Sequence, residues 1–480
     1  MKIAMIASEV TPFAKTGGLA DVLGTLSLAL ERLGHELCVI APAYRCVLQG
    51  NFPLQETGVG LTVPQSDRQA QAFVLRTSIG MDVPVYLIRA DAYFDRDQLY
   101  GTAEGDYPDN AERFAFFSRA ALELLRHQPA DIVHCHDWQA ALVTVFLKTQ
   151  PERYPELAAA KTVLTIHNLG FQGIFPQINW HLLNLDASYF TPSYLEFFGS
   201  INFLKGALIF TDKITTVSPS YAQEIMTAEQ GFGLDGVLRE RAADVVGILN
   251  GVDYSVWNPW TDRFLDHHYG QNSLRVKRDC KADLRRVVGL PDSSRTPVFA
   301  IIARLTLQKG IDLVETIFDS LMERNLQLVL LGNGEARFED FFRNAATRYP
   351  ERVAVRIGFD DSLAHQIEAG ADFFLMPSLY EPCGLNQMFS LKYGTIPIVC
   401  PVGGLKDTVQ DYDSETQRGT GFVVATPTAQ GLLDAVDRGL AAFNDKPVWN
   451  ALRRRAMAMN FSWERSARLY SGLYQQLGNA

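Results

Sequence analysis

Short apolar segments alternate with segments of helical periodicity along the chain. The first series of apolar runs, which predict buried strands, lies at residues 2–7, 36–41, 131–134, 161–166 and 213–217. Leucines and valines between residues 19 and 33 recur at a spacing of about 3.6 residues, which predicts an amphipathic helix over 18–33. Strands that alternate with helices in this way predict a parallel sheet with helices on both faces.

The same alternation restarts in the second half of the chain. Strands are predicted at 297–303, 327–331, 372–376 and 396–400, with a helix over 308–323 and a terminal helix over 462–477. A less regular segment, 250–295, separates the two series, so a domain boundary is expected near 248–252. The 480 residues are too many for one core, and two doubly wound α/β domains usually bind a ligand in the cleft between them.

Composition and charge narrow the class of partner. The net charge is −10 and the chain has no strong basic run, which argues against nucleic acid as a partner. No run approaches the ~18 apolar residues that span a membrane. The six cysteines are scattered without a C-x-x-C pair, so a reduced, cytoplasmic setting is expected. Nothing in the sequence indicates an oligomeric state.

The first candidate site is Lys15-Thr16-Gly17-Gly18, which lies between the first predicted strand and the first predicted helix. Glycines allow close approach of the backbone, and the N–H groups and dipole of a first helical turn favour an anion such as phosphate. The adjacent glycines match neither the dinucleotide fingerprint nor a Walker loop. A glycine pair before a helix is also ordinary turn chemistry, so the phosphate interpretation depends on the rest of the chain.

The second candidate site follows the predicted strand 297–303. Arg304 and Lys309 lie on the loop between this strand and the next helix, at the edge where parallel sheets bind ligands. Two cations on such a loop can both point into a cleft and bind a diphosphate. Solvated surface charges are the alternative, and the turn at Gly310 together with the position at the end of a strand favours the functional interpretation.

The third candidate site is the loop that begins at Glu381, after the predicted strand 372–376. Pro382 is expected near a helix start, where it loses no needed N–H group. The N–H groups of Cys383, Gly384 and Leu385 are then available to a ligand. Glu381 would hold sugar hydroxyls or counter a developing positive charge, with a helix-capping role as the alternative. Cys383 has no evident histidine partner and is expected to be a small apolar filler rather than a nucleophile.

Histidines also follow two of the predicted strands. Alternation places His134 and His136 on one face of a strand, which together with Asp137 raises the possibility of a metal site, but no third ligand is evident. Asp137 as a hydrogen-bond acceptor in the cleft is favoured over a metal. His167 lies at the end of another strand, and as a single histidine it is weak evidence for a site.

Eight segments in this order resemble the bacterial glycogen synthase and plant starch synthase family. They are Lys15-Thr16-Gly17-Gly18-Leu19, His136-Asp137-Trp138, His167-Asn168, Asn250-Gly251-Val252-Asp253, Arg304-Leu305-Thr306, Gln308-Lys309-Gly310, Glu381-Pro382-Cys383-Gly384-Leu385 and Thr420-Gly421-Phe422. The resemblance runs from Met1 to about residue 477. It implies the GT-B fold of family GT5, in which two Rossmann-like domains face each other across a cleft. The implied domains are an acceptor-side, catalytic domain at 1–248, a nucleotide-sugar-binding domain at 249–460 and a helix at 461–480 that packs back on the first domain.

The resemblance implies a retaining glucosyltransferase. Such an enzyme moves glucose from ADP-glucose to the non-reducing end of an α-1,4-glucan, glycogen or starch, and needs no metal or other cofactor. By the same resemblance, Lys15 and the backbone of Gly17 and Gly18 meet the donor diphosphate from the first domain. Arg304 and Lys309 meet it from the second.

The remaining roles are likewise carried over from the resemblance. Glu381 corresponds to the active-site glutamate near the transferred glucose. The carbonyl of His167 is implied beside the anomeric carbon, and its side chain is implied to bond a glucose hydroxyl. The other implied donor-binding residues are Asp21, Asp137, Asn250, Phe359, Cys383, Gly384 and Leu385, with Tyr100 as a further match near the site.

Two positions of this chain differ from the residues expected in related glycosyltransferases. The broader sugar-nucleotide transferases of this fold often place a second glutamate eight residues after the first, where this chain has Phe389, which supports the glycogen synthase branch. Phe359 is assigned to the position that stacks on the nucleotide base, where a tyrosine would be expected. Stacking survives that change, whereas a hydroxyl contact does not.

Three alternatives remain open from the sequence. The first is a GT-B glycosyltransferase that uses a UDP-sugar and a non-glucan acceptor. The second is a glucan-binding protein without activity, against which the presence of Lys15, Arg304, Lys309 and Glu381 argues. The third is a dehydrogenase of two Rossmann domains, which the missing G-x-G-x-x-G motif disfavours.

Overall fold

The computed structural model describes residues 1–102, 104–293 and 295–479. The chain divides into two compact units. Unit 1 consists of Met1–Gly251 together with the segment that starts at Trp463, and unit 2 is Val252–Ser462. The polypeptide thus leaves unit 1 once and returns to it for its last helix.

Unit 1 is an α/β unit with a central sheet. Its strands are β1 (Lys2–Ile6), β2 (Glu36–Pro42), β3 (Gln55–Gln65), β4 (Arg68–Ile79), β5 (Val83–Arg89), β6 (Gly101–Thr102), β7 (Gly105–Asp106), β8 (Ile132–His136), β9 (Lys161–Ile166), β10 (Ile174–Pro176), β11 (Glu196–Phe197), β12 (Ser200–Asn202), β13 (Lys213–Thr216) and β14 (Val245–Gly247). Its helices are α1 (Gly18–Arg32), α2 (Arg45–Leu48), α3 (Asp91–Phe94), α4 (Asn110–His127), α5 (Asp137–Thr149), α6 (Phe203–Phe210), α7 (Pro219–Glu224), α8 (Asp235–Glu240) and the C-terminal helix Trp463–Gly478. Short 3₁₀ helices lie at Pro151–Arg153, Pro155–Leu157, Gln177–Leu183, Ala187–Tyr189 and Ala242–Asp244.

The strand order of the main sheet in unit 1 is β14-β13-β9-β8-β1-β2-β5-β4-β3. All pairs from β14 to β5 are parallel. The strands and the helix predicted in this part of the chain are present, with small differences at their ends. They form because apolar runs such as Ile3 to Ile6 are buried completely between layers of helices.

The edge formed by β3, β4 and β5 was not predicted from the sequence. β4 pairs antiparallel with both β5 and β3. The connection between β3 and β4 is only two residues long, and a tight turn of this kind can join only antiparallel strands. Burial along β3 and β4 is mixed, so these strands lack the continuous apolar run of a parallel-sheet strand.

The C-terminal helix packs against α1 within unit 1. The hydroxyl of Tyr474 lies 2.7 Å from Nδ1 of His134, which is buried in β8. Nε2 of His35 lies 2.8 Å from Oγ of Ser471. Together with the bond from the Ser466 hydroxyl to the Leu249 carbonyl at 2.5 Å, these contacts and the buried rings of Tyr470 and Tyr474 hold the last helix on the first unit.

Unit 2 is a second α/β unit. Its strands are β15 (Val298–Ile302), β16 (Gln327–Gly332), β17 (Val353–Ile357), β18 (Phe373–Met376), β19 (Ile396–Val399) and β20 (Phe422–Val423). Its helices are α9 (Lys277–Val288), α10 (Ile311–Glu323), α11 (Ala336–Arg348), α12 (Asp361–Gly370), α13 (Asn386–Tyr393), α14 (Gly403–Thr408), α15 (Ala429–Asn444) and α16 (Lys446–Ala458), with 3₁₀ helices at Gln271–Val276 and Leu307–Lys309.

The sheet of unit 2 has the order β17-β16-β15-β18-β19-β20, and every pair is parallel. The predicted α/β class and the doubly wound, parallel arrangement are therefore confirmed in this unit. The order reverses beside β15, which places the loop after β15 next to the loop after β18 at the carboxyl edge of the sheet. Within the described residues, no helix of either unit has both the length and the apolar character to cross a membrane.

Candidate functional site

The loop after β1 is organised by a buried carboxylate, Glu9. Its two oxygens accept hydrogen bonds from the backbone N–H of Thr16 at 2.5 Å, the Thr16 hydroxyl at 2.6 Å and the Gly17 N–H at 3.3 Å. Two N–H groups of the predicted phosphate loop, those of Thr16 and Gly17, are thus already bonded to a carboxyl group of the chain itself. The amides of the first turn of α1, which begins at Gly18, have no acceptor within the helix and remain suited to an anion.

Lys15 is on the same loop, with its side chain about half exposed. Its Nζ lies 2.8 Å from Oδ1 of Asp21 in the first turn of α1. The same oxygen accepts a hydrogen bond from the hydroxyl of Thr11 at 3.1 Å. The structure therefore brings together the predicted residues Lys15, Gly17 and Asp21, with the lysine in an exposed ion pair that an incoming anion can replace at small cost.

Tyr100 joins the same cluster from a distant part of the chain. Its hydroxyl lies 2.7 Å from Oγ of Ser8 and 2.6 Å from Oε1 of Glu9. Burial, reinforced by nearby Tyr44 and Glu9, raises the pKa of Tyr100 well above its ordinary value, so the phenol stays neutral and donates to the carboxylate. Tyr100, weakly matched from sequence, is thus tied to the Lys15 loop through Glu9.

A second group of unit 1 lies at the ends of β8 and β9. Asp137 begins α5 with a φ of +54°, a conformation that is uncommon in residues other than glycine, although aspartate adopts it more often than most. Its Oδ1 accepts the backbone N–H of His167 at 2.7 Å. Burial raises the pKa of Asp137 to about 7, although the bonds from the N–H groups of His167 and Asn168 act in the opposite direction.

His167 also contacts a second histidine. Its Nε2 lies 3.0 Å from Nδ1 of His136, whose other ring nitrogen is buried without a partner among the described residues. Burial lowers the pKa of His167 to about 3 and that of His136 well below its ordinary value. Both rings are therefore neutral near pH 7, and one must donate the shared hydrogen bond to the other.

The metal interpretation of the histidines finds no support in the geometry. Both ring nitrogens of His134 are occupied, by the Tyr474 hydroxyl at 2.7 Å and by the Thr165 hydroxyl at 2.6 Å. In residues 1–102, 104–293 and 295–479 no three His, Cys, Asp or Glu side chains are grouped to hold a metal ion.

Asn250 is the last predicted residue of unit 1. It is buried, and its Oδ1 has no hydrogen-bond partner in the part of the chain that the structure describes. The next residue must be small, because a Cβ on Gly251 would lie 2.6 Å from the ring of Trp463. The Asn250-Gly251 motif thus combines a buried polar oxygen with the point where the C-terminal helix meets the preceding chain.

In unit 2, Lys309 and Glu381 form an ion pair. Nζ of Lys309 lies 2.6 Å from Oε2 of Glu381, and both side chains are largely buried, at 17% and 9% exposure. The hydroxyl of Ser378 donates to the same oxygen at 3.0 Å. The two candidate loops after β15 and β18, which the sequence analysis treated separately, therefore form one site.

Gly310 makes this approach possible. Its φ is +66°, and a Cβ there would lie 2.0 Å from the carbonyl oxygen of Pro377. The helix predicted over 308–323 begins only at Ile311, because Leu307–Lys309 forms a 3₁₀ turn that ends at this left-handed glycine. Arg304 lies at the start of the same loop, exposed and without an ion pair to any described residue.

The loop from Glu381 to Leu385 differs from its prediction. α13 begins at Asn386, four residues after Pro382, so the proline does not mark the helix start. Gly384 has a φ of +70° at the turn, and Cys383 is buried. The carbonyl of Glu381 accepts the N–H of Gly404 at 3.2 Å, which fixes the loop against the start of α14.

Phe359 and Phe389 have opposite environments. Phe359 follows β17 and is 85% exposed, so its ring is available for stacking. Phe389 is buried and stacks on Trp257, with ring centroids 4.0 Å apart and planes 5° apart. The other face of Trp257 stacks on His365 at 3.7 Å. The position where related transferases carry a glutamate is therefore part of an aromatic stack in this chain.

Family models match both units. The model described as starch synthase catalytic domain matches residues 2–240, and the model described as glycosyl transferases group 1 matches residues 286–447. Glycogen synthase from Koribacter versatilis is 49% identical over 478 residues, which cover 99% of this chain and 98% of the relative. The chain belongs to the glycogen and starch synthase family. The predicted resemblance is confirmed, and with it the activity of a glucosyltransferase that synthesises an α-glucan from a nucleotide-sugar donor.

Solved structures agree with this assignment. The catalytic domain of starch synthase IV from Arabidopsis thaliana, bound to ADP and acarbose, has a TM-score of 0.92 and 34% identity and covers 100% of this chain and 99% of its own. Sucrose-phosphate synthase from Thermosynechococcus elongatus, at 18% identity and a TM-score of 0.63 over 99% of this chain and 98% of its own, shares the fold. The GT-B class predicted for this chain is therefore confirmed.

Sequence reasoning missed three residues that organise these groups. Glu9 was not singled out, although it lies directly after β1 and so occupies the same carboxyl edge as the predicted residues. Ser378 follows β18 in the same way. His136 was considered as a metal ligand and as part of one segment of the resemblance, but its contact with His167 was not predicted.

Proposed function

We propose that this chain transfers glucose from ADP-glucose to the non-reducing end of an α-1,4-glucan, with retention at the anomeric carbon. Family membership supports the glucan acceptor and the nucleotide-sugar donor. The observation that carries the proposal is the ion pair of Lys309 and Glu381, 2.6 Å apart at the carboxyl edge of the unit 2 sheet. A cation for the leaving diphosphate and a carboxylate for the sugar are thereby placed side by side.

The cations of the site are proposed to bind the donor diphosphate. Lys15, the backbone of Gly17 and Gly18, Arg304 and Lys309 are assigned this role, with Asp21 holding Lys15 until the donor arrives. The leaving group is ADP, so negative charge accumulates on its terminal phosphate as the bond to glucose breaks. Fixed positive groups at that position lower the barrier, because they stabilise the transition state more than the bound substrate.

The sugar end of the donor is assigned to the carboxylate and histidine groups. Glu381 lies beside the transferred glucose, and the carbonyl of His167 faces the anomeric carbon while its ring bonds a hydroxyl. Asp137, Asn250 and Tyr100 complete this part. The loop Cys383-Gly384-Leu385 contacts the donor through its backbone, and Phe359 stacks on the base. The geometry that supports these roles is the bond from His167 N–H to Asp137 and the exposed ring of Phe359.

The reaction is proposed to need no metal. In this scheme Lys15, Arg304 and Lys309 supply the positive charge that a divalent ion provides in other sugar-nucleotide transferases. The test is the initial rate before and after treatment with EDTA. We expect no change, and a loss that Mg²⁺ or Mn²⁺ restores would reject this part of the proposal.

The decisive experiment is a donor and acceptor assay with the wild type and two variants. Release of ADP from ADP-glucose with glycogen should be fast in the wild type, slower with UDP-glucose, and lower by about a hundredfold or more in Glu381→Ala. Glu381→Gln preserves the shape of the side chain but not its charge, and should fall nearly as far. Turnover with UDP-glucose far above ADP-glucose would instead favour the UDP-sugar alternative.

We also propose that the protein acts in the cytoplasm. The support is the chemistry of the cysteines, since Cys38, Cys46, Cys135, Cys280 and Cys400 are thiols and no disulfide forms among the described residues. Fractionation of the native cells is the test, and recovery of the protein outside the cytoplasmic fraction would contradict the proposal.

A further inference from the structure

Two exposed phenylalanines in unit 1 have a backbone conformation that phenylalanine rarely adopts. Phe198 has a φ of +49° and its neighbour Gly199 a φ of +79°. Phe232 has a φ of +47° and its neighbour Gly233 a φ of +80°. For a bulky residue the left-handed region is an outlier, and asparagine or glycine is the usual choice.

The first pair lies in a hairpin. Phe198 and Gly199 connect β11 to β12, where Phe197 is paired with Ser200. Two central residues with positive φ define a type I′ turn, in which Asn-Gly is the preferred sequence. The backbone is held in place by the Gly199 N–H, which donates to Oε1 of Glu196 at 2.7 Å. The ring of Phe198 contacts the ring of Phe197, with centroids 4.7 Å apart, but it remains 84% exposed, so burial inside the unit does not offset the strain.

The two turns lie next to each other. A Cβ on Gly233 would be 2.9 Å from Cζ of Phe197 and 3.6 Å from Cε2 of Phe198. The ring of Phe232, 45% exposed, lies 3.8 Å from the position of a Cβ on Gly170. Gly170 belongs to the turn that follows His167, and the next residue, Phe171, is 58% exposed. The exposed rings therefore form one surface that continues from the His167 turn.

We propose that Phe198 and Phe232 form a stacking platform for the α-glucan acceptor, a role that rests on the proposed position of His167 beside the transferred glucose. A pyranose presents a flat face of C–H groups, and the negative face of an aromatic ring attracts such groups. Strained residues persist where the surrounding structure holds them for a function. A long neutral chain whose end lies at His167 is the ligand that such a continuous aromatic surface fits.

The test uses substitutions that remove the two aromatic rings but preserve the backbone of the turns. Asparagine is favoured at positive φ, so Phe198→Asn and Phe232→Asn should retain or stabilise both turns while removing the rings. Phe73→Thr is the matched control, since Phe73 lies on β4 of the same unit and is 62% exposed. Binding of glycogen without donor is measured by affinity electrophoresis, and KM values for glycogen and ADP-glucose are measured separately.

We expect the double variant to bind glycogen about tenfold more weakly and to have a KM for glycogen about tenfold higher. Its KM for ADP-glucose should remain within about twofold of the wild type, and Phe73→Thr should behave as the wild type. Unchanged glycogen binding in the double variant would overturn the inference. If the double variant binds glycogen normally but no longer self-associates, the surface is assigned to a second copy of the protein instead. Because binding is measured without turnover, failure of the proposed donor chemistry would leave this readout intact.

Discussion

Nζ of Lys309 lies 2.6 Å from Oε2 of Glu381, although 72 residues separate them in the sequence. Both side chains are largely buried, so each charge depends on the other in the absence of a substrate. A donor diphosphate would compete with the carboxylate for the lysine. The two opposite charges thus balance each other before binding, and Lys309 supplies a positive group when the phosphate arrives.

Removal of the lysine should reduce the rate of chemistry more than donor affinity. In Lys309→Ala we expect kcat to fall by about 10²–10³-fold, about 3–4 kcal/mol of barrier, because charge on the leaving phosphate loses a fixed partner. Arg304→Ala should have an effect of the same size. Steady-state rates with ADP-glucose and glycogen measure both. Lys309→Arg is the control that retains charge, and a Lys309→Ala variant with nearly wild-type kcat would contradict the assignment.

Because Lys309 and Glu381 are in contact, the effects of substituting them on the reaction rate should be strongly coupled. Lys309→Ala leaves the Glu381 carboxylate without its partner, so a double variant with Glu381→Gln should be scarcely slower than the slower single variant. Multiplication of the two single effects in the double variant would show that the residues act independently.

Asp137 should make stability depend on pH in a defined window. Its pKa is raised from 3.8 to about 7 in the folded chain, so the folded state holds a proton that the unfolded state has lost between these values. The penalty for ionising Asp137 is therefore absent below about pH 4, grows between pH 4 and pH 7, and is complete above pH 7. Relative to the wild type, the free energy of unfolding of Asp137→Asn should increase by on the order of a few kcal/mol as the pH rises through this window.

The check is the midpoint of urea denaturation of Asp137→Asn and wild type from pH 4 to pH 8. The difference between the two midpoints, variant minus wild type, should be small at pH 4 and should rise to a plateau above pH 7. A difference that stays constant over the range would show that Asp137 does not titrate there.

Phe389 distinguishes this chain from the broader sugar-nucleotide transferases, which often have a glutamate at this position. Phe389→Glu would bury a carboxylate against Trp257 and should cost about 3–5 kcal/mol of stability near pH 7. The loss should shrink at low pH as the new carboxylate is protonated. Urea denaturation followed by tryptophan fluorescence measures it, with Phe389→Leu as the apolar control. Equal stability of the glutamate and leucine variants at pH 7 would contradict the stacked arrangement.

Much of the fold could be predicted because parallel strands are buried on both faces and give continuous apolar runs. The runs at residues 2–7 and 297–303 predicted β1 and β15 almost residue by residue. β3 and β4 were missed because their burial is mixed, so no continuous apolar run marks them. The delayed start of α10 was missed as well, because the left-handed conformation of Gly310 depends on its contact with Pro377, which is remote in sequence.

The candidate site was predictable only where a residue type at a strand end carries meaning by itself. Lys309 and Glu381 were each selected on that basis, but sequence spacing could not show that they form a pair. Glu9 is a carboxylate in a short polar interruption, and its role depends on Thr16, Gly17 and Tyr100 converging on it. Such convergence is a property of the tertiary structure.

His136 should set the tautomer of His167. The Nε2 atom of His136 is buried without a partner among the described residues, and a bare ring nitrogen there costs less than an unbonded N–H. We therefore expect His136 to carry its proton on Nδ1 and to donate it to Nε2 of His167. His167 then carries its own proton on Nδ1, ready to donate to a sugar hydroxyl.

The ¹⁵N shifts of the His167 ring test this assignment without turnover, and a protonated Nε2 would contradict it. In His136→Leu the preference of His167 for the tautomer protonated on Nδ1 should be lost, and kcat should fall on the order of tenfold. His136→Asn, which places an amide donor near the position of Nδ1, should recover part of that loss.

The most direct measurement is a crystal structure of the complex with ADP. We expect phosphate oxygens within hydrogen-bond distance of Lys15 and of Lys309, with the Lys309–Glu381 contact lengthened from its present 2.6 Å. A bound ADP whose phosphates lie away from these lysines, with that contact unchanged, would contradict it.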